Sequence, residues 1–160
     1  MKNVPLRILL LTVVAGVALI GWQAVAETNR TTFPANIDQL VHYTTVTRGE
    51  VTEHMLTTPE AIAAVKNGQP IPNGTHFVLV DYRQGEVFRY FVMERGDGWG
   101  AEYPEDRRTG DWQFQWFEPD RSVNMAENTA RCQSCHQGRS GSEFLFTYDR
   151  ILDFDGAMID

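Results

Sequence analysis

The sequence predicts an α+β fold, mainly antiparallel β-sheet with a few short helices. Three stretches carry that prediction: the β-branched run over residues 41–57, the pair of apolar runs around Gly85 within residues 75–94, and the alternation of residues 111–117. The chain has 160 residues, 42% of them apolar and 22% charged, which suits one globular domain with an appendage and leaves no room for a large two-domain enzyme. A formal charge of −7 and the lack of any basic stripe argue against a nucleic-acid partner.

The elements follow in order. Residues 1–7 carry Lys2 and Arg7 and no acid, residues 8–22 are almost unbroken apolar sequence, and Ala24 and Ala26 are small residues two apart. That is the layout of a secretory signal peptide, expected to be cleaved after Ala26; the apolar run at about 1.5 Å per residue falls short of the roughly twenty residues a membrane span needs. Removal of Lys2 and Arg7 leaves twelve bases against twenty-one acids, a charge of −9, on a protein expected in the periplasm and not in the membrane. Residues 27–32 are polar and read as a flexible segment, residues 33–152 as the folded domain, and residues 153–160 as a frayed acidic tail.

Within the domain, Ile37, Leu40 and Val41 suggest a short helical turn, and residues 41–57 read as two strands broken at Arg48 and Gly49. Thr58, Pro59 and Glu60 form a helix start, and Gly68 a stop. The hairpin over residues 75–94 admits a two-residue Gln84-Gly85 loop or a three-residue loop ending on a left-handed Gly85, and the two pair opposite faces. Its first strand is apolar on both sides (Phe77 and Leu79, Val78 and Val80) and should be covered twice. Residues 111–117 place Trp112, Phe114 and Trp116 inward and Gln113 and Gln115 on a wet face.

Cys132-Gln133-Ser134-Cys135-His136 is a C-x-x-C-H motif, the attachment sequence of a c-type haem. On a helix, positions three and four apart share a face, so two thiols and one imidazole can meet one side of a macrocycle: Cys132 and Cys135 to form thioethers, His136 to ligate the iron. Chance alone would produce the pentad in about 6 × 10⁻⁴ of chains with this composition. A thioredoxin-like dithiol leaves His136 unexplained, and a zinc site lacks a fourth ligand, since His42, His54 and His76 lie far away in strand-like sequence.

A wider resemblance then emerges. Phe33-Pro34, His42-Tyr43-Thr44-Thr45-Val46, Pro59-Glu60, Asn73-Gly74-Thr75, Gly98-Trp99-Gly100, Gly110-Asp111-Trp112, the pentad and Phe146-Thr147-Tyr148 together resemble the cytochrome P-460 family, which includes the cytochromes c′-beta. The resemblance implies an antiparallel sheet domain, often a homodimer, with one haem that is five-coordinate on its histidine. In hydroxylamine-oxidising members a lysine is cross-linked to the haem beside an arginine and a glutamate. Here those positions align with Leu79, Glu53 and Arg89. The resemblance therefore points to the c′-beta branch, with an apolar pocket for a small diatomic ligand such as nitric oxide, lined by Phe77, Leu79 and Phe91. Glu53 and Arg89 are expected as a charge-swapped pair at the haem rim. The alternative function is electron transfer, with a redox partner protein and Met55, Met93 or Met125 as a sixth ligand; an acidic surface favours a basic partner.

Overall fold

The computed structural model describes residues 29–157. Five antiparallel strands form one sheet in sequence order: β1 (Val41–Arg48), β2 (Val51–Thr57), β3 (His76–Arg83), β4 (Glu86–Arg95) and β5 (Trp112–Phe117). Among the described residues three short α-helices accompany the sheet, α1 (Pro59–Lys66), α2 (Ala130–Gln137) and α3 (Tyr148–Asp153), so the α+β class holds. Among the described residues no helix is long and apolar enough to cross a membrane.

Local chemistry explains the boundaries. Thr58 caps α1 by accepting from Ala61 N at 3.2 Å, Pro59 occupies the first helical position, and Gly68 ends the segment at φ 62°. The short helical turn is 3₁₀, over Ile37–Gln39.

The β3–β4 hairpin combines features of both expected loops. Arg83 pairs with Glu86 around a two-residue turn whose central residues, Gln84 and Gly85, both have positive φ. Tyr82 then pairs with Val87 but Asp81 with Arg89, so Phe88 is one extra residue in β4. Beyond this bulge Leu79 opposes Phe91, whereas without a bulge the two-residue loop would set Tyr90 there and the three-residue loop Arg89. The bulge restores side-chain parity, leaving Leu79, Arg89 and Phe91 on one face.

Both faces of the sheet are covered. Phe77, Met93, Trp112 and Phe114 pack beneath α1 and α3 with Tyr43, Ile62, Leu145 and Ile151. On the opposite face Val78, Val80, Tyr90, Val92 and Phe117 pack against Phe33, Ile37 and Leu40. The wet face expected of β5 is absent: Gln113 and Gln115 are buried. The segment expected to be flexible covers them. Arg30 N donates to Gln113 Oε1 at 2.8 Å, Asn29 Nδ2 donates to Phe114 O at 2.8 Å and also to Gln115, and Gln113 Nε2 donates to Glu102 at 2.9 Å. Polar side chains can be buried on a sheet when a neighbouring backbone satisfies them. The expected tail also begins as structure: Asp153 ends α3, Phe154 packs on the core, and its carbonyl accepts from Lys66 Nζ. The expected signal segment, residues 1–26, lies outside the described residues.

Glu94 anchors the same N-terminal strap, accepting from Thr32 N at 2.7 Å and Thr32 Oγ1 at 3.1 Å, with His76 Nε2 at 3.2 Å. Burial raises its carboxyl pKa, but the hydrogen bonds from His76 and Thr32 outweigh it and hold the group below its ordinary value of 4.5. The unfolded chain therefore takes up the proton first, and this contribution to stability is complete above about pH 4.5 and lost as pH falls through the folded value. Glu94→Gln is expected to lower stability at pH 7 and to flatten its acid dependence below pH 5, as read by urea unfolding at a series of pH values. In the core beneath α1 and α3, Ile151→Ala at a fully buried site should cost about 2–5 kcal/mol in the same unfolding measurement.

Candidate haem site

α2 carries the C-x-x-C-H motif and is docked by its back. Gln133, 1% exposed, accepts from Arg107 Nη2 at 2.6 Å and Nε at 3.2 Å, and Gln137, one turn on, donates to Asp106 O at 2.5 Å. With positions 133 and 137 held from outside, positions 132, 135 and 136 turn together toward the sheet.

Between α2, residues 145–147 and the sheet lies a cleft of about 280 Å³. The sheet contributes Met55, Phe77, Leu79, Phe91, Met93 and Phe114 side chains, and Cys132, Cys135 and His136 close the cleft from α2. The wall is apolar because alternate residues of β2–β5 share this face: Met55 opposes Leu79, Leu79 opposes Phe91, and Met93 opposes both Phe77 and Phe114.

His136 is fixed on three sides. Its Nδ1 lies 2.6 Å from Phe144 O, and since a carbonyl can only accept, Nδ1 carries the proton and Nε2 keeps the lone pair. Phe114 lies tilted against the ring at 4.7 Å and Phe146 meets it edge-on at 4.9 Å. Burial pushes the imidazole below the ordinary histidine pKa and outweighs the bond to Phe144, which acts the other way, so the ring is neutral at pH 7. Both cysteines are unpaired: Cys132 is half-buried, its thiol pushed up to about 11 chiefly by burial, and Cys135 is exposed. A neutral histidine with only Nε2 free, two unpaired thiols on the same helical face and an apolar wall fit a haem. Among the described residues no cluster of three or more His, Cys, Asp or Glu side chains could hold a metal ion.

Not every expected side chain reaches the cleft. Phe77, Leu79 and Phe91 line it, but Glu53 and Arg89 do not. Their expected mutual pair is not formed: β3 runs between β2 and β4, and Asp81, opposite both, intervenes. Arg89 Nε donates to buried Asp81 at 2.8 Å and its guanidinium stacks on Phe91 at 4.5 Å, while Glu53 pairs with Arg48. Met55 and Met93 line the cleft, whereas Met125 is 87% exposed elsewhere. His54 stacks on His42 at 4.2 Å and His76 bonds Glu94, both away from the cleft. Sequence reasoning missed Tyr43 and Thr147, whose hydroxyls meet 2.7 Å apart in the cleft wall, and the Phe144 carbonyl. Tyr43 and Thr147 stood in the words that carried the resemblance; a backbone carbonyl leaves no signal.

A model of the cytochrome P460 family matches residues 34–147, and the chain belongs to that family. It is accordingly a monohaem c-type cytochrome with a haem cofactor. No curated protein matches the chain.

In the haem-free protein, iodoacetamide at neutral pH is expected to modify exposed Cys135 well before Cys132, whose thiol is half-buried and protonated. Peptide mass mapping over a time course reads the order, and equal rates would contradict the placement of the two thiols.

Proposed function

We propose that the protein is exported after cleavage behind Ala26 and holds one haem c by thioether bonds at Cys132 and Cys135, with His136 Nε2 as the only protein ligand to iron, so that a small diatomic molecule such as nitric oxide can bind. The observation that carries this reading is the side-chain content of the sheet wall: Met55, Phe77, Leu79, Phe91, Met93 and Phe114, with no lysine, histidine or carboxylate among them. The iron supplies the ligand-binding and electron-storing chemistry. The chain supplies the surroundings. Phe77, Leu79 and Phe91 exclude water and disfavour charged molecules, so that neutral diatomics gain most from entering. Arg89, clasped by Asp81 and stacked on Phe91, and Glu53, paired with Arg48, keep their charges outside the cleft. Leu79 offers no amine, so the cross-link of the hydroxylamine-oxidising relatives does not form. A homodimer belongs to the same reading, and a basic redox partner to the electron-carrier alternative.

One observation favours a second reading. The thioethers of Met55 and Met93 belong to the cleft wall, and either would convert the site to a six-coordinate electron carrier. Absorption spectra of the matured protein separate the two. A high-spin five-coordinate ferrous spectrum that changes on adding nitric oxide, unaltered by Met55→Leu or Met93→Leu, is expected. A low-spin spectrum that turns high-spin in one of those variants would instead establish the electron carrier. Hydroxylamine turnover by the wild type would contradict the role given to Leu79.

A further inference from the structure

Glu143 and Phe144 are consecutive residues with φ of 52° and 61°, in the left-handed region that side chains with a Cβ disfavour. Such backbone persists where surrounding contacts over-determine it. Three contacts from three other parts of the fold do so here. Arg95, at the end of β4, places Nη1 3.6 Å from the Glu143 carboxylate. The Phe144 ring lies against Gly110, where a Cβ would come within 2.9 Å of Phe144 Cε2. Thr147 Oγ1 meets the Tyr43 hydroxyl of β1 at 2.7 Å. Buried Leu145 and the bonds from Phe144 N to Arg139 O and Leu145 N to Ser142 O, both 2.8 Å, hold the turn internally.

The reversal at residues 143–144 aims the Phe144 carbonyl at His136 Nδ1 and delivers Phe146 to the edge of the same ring. We propose that residues 143–147 are a strained clamp whose product is the position of the Phe144 carbonyl, and that Tyr43, Arg95 and Gly110 are positioning residues for the histidine acting through it. This rests on the haem reading above, because the bond at Nδ1 sets the basicity of Nε2 and so the balance between ferric and ferrous iron. A shorter, straighter bond favours the ferric state, and slack in the clamp favours the ferrous. Relaxation of Phe144 to an ordinary right-handed or extended conformation would turn its carbonyl away from the imidazole.

The test uses the matured, haem-loaded chain and two readouts: the midpoint in a redox titration and the ferrous iron–histidine stretching frequency. Tyr43→Phe keeps the ring in the wall and removes only the hydroxyl. It is expected to shift the ferrous-to-ferric ratio at fixed potential by up to about tenfold toward ferrous, about 59 mV for a one-electron couple, and to lower the stretching frequency. Gly110→Ala pushes on Phe144 directly and should move both readouts the same way, and Gly110→Ala combined with Phe144→Leu should return most of the shift. If Gly110→Ala does not fold, Tyr43→Phe decides alone. A folded, haem-loaded Tyr43→Phe with wild-type midpoint and frequency overturns the clamp. Failure of the wild-type chain to acquire covalent haem would overturn the functional reading beneath it, an outcome visible before any variant is made.

Discussion

Gln133 is buried, takes both of its hydrogen bonds from Arg107, and sits one turn before Gln137, which holds the backbone of the preceding loop. These bonds on the outer side of α2 settle the rotation of the helix about its axis. Once that rotation is set, Cys132, Cys135 and His136 all border the cleft, and the chemistry of the molecule follows. A helix of eight residues with so little apolar content would not choose this orientation by hydrophobic packing alone. Polar docking to the Glu105–Arg107 turn does it instead.

The sheet answers with an apolar face of alternate residues, and the opposite face is closed by the N-terminal strap. That division gives one face a core beneath α1 and α3 with the cleft beside it, and the other face a closed core. The Gly100 and Gly110 pair supports the arrangement on the loop side, since a Cβ on Gly100 would lie 2.2 Å from the Gly110 carbonyl oxygen, and Gly110 in turn makes room for Phe144. Gly100 thus closes the segment before β5 on itself, and Gly110 packs it against the segment after α2.

Electrostatics is kept at the edges. Glu53, Asp81, Arg48, Arg83 and Arg89 cluster at the hairpin end of β2–β4, beyond Leu79 and Phe91, so the charges lie one pleat outside the cleft. Inside it the polar groups are few, and the most buried of them, Tyr43 OH, is pushed above its ordinary pKa by burial and remains a neutral hydroxyl bonded to Thr147. A low-dielectric wall beside a single neutral imidazole suits an uncharged guest.

Much was legible in the residues themselves. The strands announced themselves by alternation and β-branching, α1 by Thr58, Pro59 and Gly68, and the chemistry by the spacing of Cys132, Cys135 and His136, all of which are local signals that operate within a few residues. Long-range pairing decided the remainder. The Phe88 bulge sets which residue faces Leu79, Asp81 displaces Glu53 as the partner of Arg89, residues 29–32 turn the expected wet face of β5 into a buried one, and a left-handed step at Glu143 and Phe144 supplies the acceptor for His136. Each depends on which segments the folded backbone brings together, and the free energy of such a contact resides in neither sequence segment taken alone.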